Sequence, residues 1–204
     1  MIWFTADFHI NHANVIRHCD RPFKDVSEMN RTLIDNFNSV VRTDDTTYHL
    51  GDFLWKGSWS MALSYFKRLN GHHKILEGNH DKYLRQLRKQ DNPFTKVFEP
   101  YLTQSVQLIE PLKEINVEGQ RIILCHYAMA TWPGSYRGSW MLFGHSHGKY
   151  MPQYGLTMDV GVDPNHYFPV SFQQVKAHMS TRKQYCPDIK DRELSRRQEK
   201  EEML

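Results

Sequence analysis

Five short clusters in the sequence combine imidazole, carboxylate and carboxamide side chains: Asp7-Phe8-His9, Gly51-Asp52, Gly78-Asn79-His80-Asp81, Cys125-His126-Tyr127 and Gly144-His145-Ser146-His147. Imidazole nitrogens and carboxylate oxygens are ligands for divalent first-row metals, and the same groups carry protons in hydrolytic reactions. Taken singly, each cluster says little, because Asp and Asn commonly cap helices and satisfy loop backbone. A His at a strand end is likewise usually structural. Their order and spacing along the chain make metal binding the chemistry to test. The three cysteines, Cys19, Cys125 and Cys186, are far apart and lack paired metal spacing, so histidines and carboxylates must hold any ion.

Each cluster lies just past a strand-like run, and in open α/β sheets the loops at the carboxyl ends of strands converge to form a site. Ile2 to Ala6 is an apolar run ending at Asp7, with a helix following near His12 to His18. Ser27 as a cap, with Met29, Leu33, Phe37, Val40 and Val41 at helical spacing, predicts an amphipathic helix over 28–41. Thr46 to Leu50 reads as the next strand, Ser58 to Leu69 as a helix stopped by Asn70-Gly71, His73 to Leu76 as a third strand and Lys82 to Lys89 as a basic helix. The pattern then turns to β. Strands are expected at Lys96 to Phe98, Ser105 to Ile109, Glu114 to Val117, Arg121 to Cys125, Ser139 to Phe143 and Thr157 to Val160, with a hairpin turn at Glu118-Gly119 and a last helix at Ser171 to Met179.

A chain of 204 residues with 40% apolar and 24% charged residues fits one soluble α/β domain, here expected over residues 1–186 with a charged tail at 187–204. The net charge of +3 does not favour a nucleic-acid partner. No stretch approaches the roughly eighteen apolar residues of a membrane span. An odd number of scattered cysteines fits a reducing compartment, so a cytoplasmic location is expected.

The ordered blocks Asp-x-His, Gly-Asp, Gly-Asn-His-Asp, His and Gly-His-x-His resemble the signature of the calcineurin-like metallophosphoesterase superfamily, from Asp7 to His147. The opening Phe4 to Phe23, with His12, Arg17, Cys19 and Arg21-Pro22-Phe23, also resembles a small bacterial and phage branch of it. The resemblance implies a four-layer α/β/β/α sandwich with two central mixed sheets flanked by helices. It implies that Asp7, His9, Asp52 and His147 hold one divalent metal and that Asp52, Asn79, His126 and His145 hold a second. Asp52 would then bridge, and a carboxylate suits that place because two cations about 3.5–4 Å apart need anionic charge between them. Four imidazoles and two carboxylates would also be costly to desolvate without an ion. The mixed donors suit Mn²⁺ first, with Fe²⁺, Zn²⁺ or Ni²⁺ as other choices. The implied reaction is hydrolysis of a phosphoester by metal-activated water, with His80 as general acid and Asp81 orienting its imidazole.

His12, Arg17 and Arg21 form a candidate substrate-facing set beside His9, or the solvated side of a short helix. His49 reads as a satisfied core residue, and His72, His73, His166 and His178, without motif context, as surface. Trp55, Trp59, Trp132, Tyr136 and Trp140 flank the motifs and could stack on a planar leaving group, although core packing is the commoner role. With no room for a cap domain, the expected substrate is a small accessible phosphodiester, such as a nucleotide-derived or cyclic one. The alternatives are a phosphomonoesterase, a nuclease with a positive groove, and a catalytically silent interaction scaffold, which would have no need of His80. No membrane partner is expected, and oligomeric state is left open.

Overall fold

The short apolar runs pair into two mixed sheets in the computed structural model, which describes residues 1–89, 97–101, 104–150, 152 and 154–184. In the first sheet β1 (Ile2–Thr5), β2 (Thr46–His49), β3 (His72–Ile75) and β5 (Gln104–Leu108) run parallel. The antiparallel strands β4 (Val97–Tyr101) and β10 (Val170–Ser171) form its edges. The second sheet is β6 (Leu112–Val117), β7 (Gln120–Cys125), β8 (Trp140–Phe143) and β9 (Thr157–Asp159), with β6 antiparallel to the rest.

Parallel neighbours require crossovers, and helices supply them. α1 (Ala13–His18) and α2 (Val26–Val40) join β1 to β2, α3 (Trp59–Phe66) joins β2 to β3, and α4 (Lys82–Arg88) follows β3. α2 begins earlier than Ser27 suggested. Asp25, in extended backbone, accepts from the Glu28 amide at 2.8 Å, and the Glu28 carboxylate reaches back to the Lys24 amide at 2.8 Å. An aspartate with a glutamate three residues on satisfies more orphan amides than a serine already inside the first turn. Ser58 caps α3 as expected, and Ser171 with Gln174 forms a capping box for α5 (Phe172–Ser180). The hairpin joining β6 and β7 turns through Glu118 and Gly119, both with positive φ (51° and 83°), which matches the twist of the flanking strands.

Side chains alternate across each sheet. Trp3, Ile75, Val106 and Leu108 face a core shared with α1–α4, while Phe4, Ala6, Tyr48, Leu50 and Leu76 face the second sheet. There they meet Ile122, Leu124, Trp140, Leu142 and Val160, and α5 closes this interlayer with Phe172, Val175 and Met179. The outer face of the second sheet, Ile123, Met141 and Phe143, is covered by Trp132 from the loop that holds a 3₁₀ turn at Ser135–Arg137. Trp132 and Trp140 are thus core residues. Two mixed sheets packed face to face with helices outside is the metallophosphatase sandwich expected from the motifs. Strand β10 was not foreseen, since two residues carry no periodicity and Ser171 doubles as a helix cap. Lys96, Cys186 and the tail at 187–204 lie outside the described residues. Among those described, no helix is long and apolar enough to cross a membrane.

Candidate metal centre

All five clusters arrive at the carboxyl ends of β1, β2, β3, β7 and β8, where their loops are laced together by backbone hydrogen bonds. The Asp7 amide donates to Gly51 O at 3.0 Å, His9 to Asp52 O at 2.9 Å and Gly144 to His126 O at 3.0 Å, while Val162 N to Ala6 O at 3.0 Å ties the second sheet to the first. The lacing forces unusual backbone. Asp7, His9, Asp52, His145 and His147 all have positive φ, between 49° and 68°. Each such conformation costs about 1–3 kcal/mol, and Asp and His tolerate it better than bulkier side chains. Gly78 allows the closest approach: a Cβ there would collide with the Asp52 amide and Oδ1.

The polar atoms form two groups. Ligand atoms of Asp7, His9 and His147 lie within 4.8 Å of one another, as do those of Asp52, His126 and His145. Between them stands Asp52 Oδ2, 3.5 Å from both His9 Nε2 and His126 Nε2. The other Asp52 oxygen accepts from the His80 amide at 2.8 Å, so a single oxygen faces both groups. Asn79 Oδ1 is 2.9 Å from His126 Nε2 and 2.9 Å from His145 Nδ1. The Leu50 carbonyl lies 2.7 Å from His126 Nδ1 and accepts its N–H. A neutral His126 then turns an Nε2 lone pair toward two oxygens, an arrangement that a cation resolves. Asp7 Oδ1 and His9 Nε2 are buried without a hydrogen-bond partner, which fits groups shaped for an ion. Separations of 2.9–3.5 Å are edge lengths of a coordination shell with bonds of roughly 2.0–2.2 Å.

The electrostatics agree with this shape. Burial pushes the Asp7 carboxyl up to about 7 against the pull of His126 and His147. Burial opposes ionisation of Asp52 as well, but the His126 hydrogen bond, the His126 and His9 charges and the His80 amide outweigh it and hold the group at about 2. His9 is driven well below its ordinary value by burial, and His145 is lowered by burial and by the His126 charge. His126 is raised because Asp52 and Asp7 outweigh its burial. The two carboxylates thus favour a proton on His126, a positive charge that a bound metal would replace, whereas burial disfavours one on His9 and His145.

The remaining candidates divide. The His80 ring lies beside the group, Nε2 3.9 Å from Asp52 Oδ2, with ring centroids 4.6 Å from Trp55 and 5.3 Å from His9. The Asp81 carboxylate accepts from the amides of Asp52 (2.6 Å), Gly78 (3.0 Å) and Phe53 (3.1 Å). It therefore pins the Asp52 loop instead of orienting the His80 ring. His12 is buried, stacked on Trp55 at 3.8 Å, with Nδ1 3.4 Å from His9 Nδ1, so it backs a candidate ligand. The substrate-facing expectation for Arg21 is corrected: its buried guanidinium pairs with both oxygens of Asp163 at 2.8 Å and donates to the carbonyls of Asp7 and Phe8. Arg17 is exposed on α1, with no contact to these groups among the described residues. Asp163, which sequence reasoning passed over, lies 2.7 Å from His147 Nδ1 and shares a close group with it and Cys19. A signal existed, since Asp163 follows β9 as the other clusters follow their strands. Tyr127, half exposed, packs at 5.0 and 4.8 Å from the His126 and His145 rings.

Compared with known proteins, residues 1–149 match the family model for calcineurin-like phosphoesterases. The chain belongs to this family. This calcineurin-like phosphoesterase is a metal-dependent hydrolase of phosphoesters. It is 32% identical over 181 residues to an uncharacterized protein of Methanocaldococcus jannaschii, covering 85% of this chain and 88% of that one. It is 27% identical over 161 residues to the gene 66 protein of Mycobacterium phage L5, covering 71% and 76%. A crystal structure of a protein of unknown function from Aquifex aeolicus shares the phosphoesterase's fold, with a TM-score of 0.61 at 24% identity over 87% of this chain and 98% of that one.

Proposed function

We propose that this phosphoesterase works with two metal ions and hydrolyses a small phosphodiester. The observation that carries the reading is the place of Asp52 Oδ2, 3.5 Å from an imidazole nitrogen of each ligand group. Asp7, His9 and His147 would hold one ion, Asn79, His126 and His145 the other, and Asp52 both. Bound there, the cations would acidify a water for attack on phosphorus and neutralise charge on the phosphoryl oxygens. Mn²⁺ suits the donors best, with Fe²⁺, Zn²⁺ or Ni²⁺ as alternatives. His80, partly exposed beside the group, would give the leaving oxygen its proton.

The preference for a diester rests on charge. A monoester dianion calls for extra cationic donors, and Arg21, the guanidinium nearest the Asp7 loop, is committed to Asp163 and two carbonyls. A monoanionic diester asks for less. The free thiols Cys19 and Cys125 are consistent with a reducing, cytoplasmic setting, and a single catalytic domain over 1–186 accommodates both sheets.

The test is hydrolysis of bis-p-nitrophenyl phosphate beside p-nitrophenyl phosphate by chelator-stripped protein, with Mn²⁺, Fe²⁺, Zn²⁺, Ni²⁺ or Mg²⁺ restored singly. Diester cleavage exceeding monoester cleavage, and dependent on added metal, is expected. Faster monoester cleavage would overturn the diester preference, and full activity without metal would overturn the metal-dependent mechanism.

A further inference from the structure

We propose that the Arg21–Asp163 ion pair is the positioning device for one of the two metal positions, that of Asp7, His9 and His147, and leaves the other alone. The proposal rests on the two-metal reading above. Arg21 Nε and Nη2 each meet an Asp163 oxygen at 2.8 Å in a fork, and Nη2 and Nη1 also donate to Asp7 O at 2.7 Å and Phe8 O at 3.0 Å. The pair is buried, with side-chain exposures of 0% and 7%. One guanidinium therefore grips the strained Asp7 turn directly. Through Asp163 Oδ2, which is 142 positions from Arg21 along the chain and 2.7 Å from His147 Nδ1, it also fixes a second candidate ligand.

The chemistry of that hydrogen bond sets the ligand. With Nδ1 donating to a carboxylate, His147 is locked in one ring orientation and offers Nε2 to an ion, and the carboxylate raises its basicity. Arg21 compensates the Asp163 charge, so the buried carboxylate stays ionised without a second cation. The other group is built mainly by different means: His126 leans on the Leu50 carbonyl, and Asp52 is placed by the His80 amide and by Asp81 on its own amide, although the His145 amide donates to Asp7 Oδ2 at 2.8 Å. Damage to the ion pair should therefore be felt chiefly at the position of Asp7, His9 and His147, where it holds both the turn and an imidazole.

The experiment uses the full chain, stripped with chelator and titrated with Mn²⁺, followed by calorimetry and by electron paramagnetic resonance. The wild type should take up two ions, with the spin-coupled spectrum of a close pair. Asp163→Asn keeps the shape and loses the charge, and Arg21→Lys keeps the charge and loses the fork. Both should weaken one ion by about 10–100-fold and leave the other within about twofold, so that one equivalent of Mn²⁺ gives the spectrum of an isolated ion. Asp45→Asn, at the opposite end of β2 from the ligands, serves as a control for general destabilisation and should keep both ions. Unchanged affinities in both variants, equal loss at both positions, or chains that stay unfolded with saturating Mn²⁺ would each overturn the proposal. Wild-type protein that binds fewer than two ions would instead overturn the two-metal reading, a result separable from the first.

Discussion

A leaving alkoxide needs a proton, and the His80 imidazole stands at the rim of the ligand group, about a third exposed and braced against Trp55. If it donates that proton, His80→Ala should keep the bound metals yet slow turnover by about 10²–10⁴-fold on a diester with a poor alkyl leaving group. With p-nitrophenol, which leaves without help, the loss should be much smaller. Steady-state rates on the two ester types decide it, and an equal loss on both would assign His80 to charge stabilisation instead. The identities of such residues were legible in the sequence because each sits in a short local block. Their partners were not. Asp81 was expected on the His80 ring and instead accepts four loop amides, since a buried carboxylate goes to the nearest unsatisfied donors. Arg21 was expected to face a substrate, and its true partner, Asp163, lies on a different sheet's loop, a pairing that no local pattern encodes.

The loops after β2 and β3 meet at van der Waals contact, and Gly78 is the residue that permits it. An alanine there would place its Cβ on the Asp52 amide and Oδ1, so the Asp52 loop must move. Gly78→Ala is expected to cost about 1–3 kcal/mol of stability through overpacking and to weaken metal binding with it. Gly119→Ala is the matched control, because nothing lies within 4 Å of its Cβ and only its φ of 83° resists the change. That variant should lose about 1–2 kcal/mol and bind metal normally. Thermal melts with and without Mn²⁺ read both effects, and a Gly78→Ala protein with wild-type metal affinity would refute the argument. Most elements were legible at this scale: the helices from their caps and apolar spacing, the hairpin from Glu118-Gly119. The start of α2 moved from Ser27 to Asp25 because two capping signals lay two residues apart and the one with the better-placed glutamate won. The strain in the loops could not be read at all, since positive φ at Asp7 or His147 follows from how two sheets meet and not from either segment alone.

Seen as a whole, the molecule buries two histidines far from any charge that would pay for protonating them. His49 on β2 and His73 on β3 face each other, Nε2 to Nδ1 at 3.1 Å, in a box of Phe8, Phe37, Phe53 and Phe66. His73 reads as surface in the sequence, but the two-residue period of β3 leaves His72 partly exposed and turns His73 under the helices. Burial, with the partner's charge adding to it, holds His49 well below its ordinary value, and burial holds His73 at about 3. In the unfolded chain both titrate near the usual 6.5, so below that pH the unfolded state binds protons that the folded state refuses. Stability is therefore fully present above 6.5 and falls as pH drops below it, by about 1.4 kcal/mol per pH unit for His73 until about 3, with His49 adding a loss of the same sign. Replacing the pair together, as His49→Phe with His73→Leu, removes both groups without leaving an unpaired nitrogen and should flatten the acid limb by that slope. Urea midpoints between pH 7.5 and 4.5, taken without metal so that ligand protonation contributes equally to both proteins, measure the difference. Parallel curves for the two proteins would mean that the pair is already protonated, or already hydrated, in the native fold.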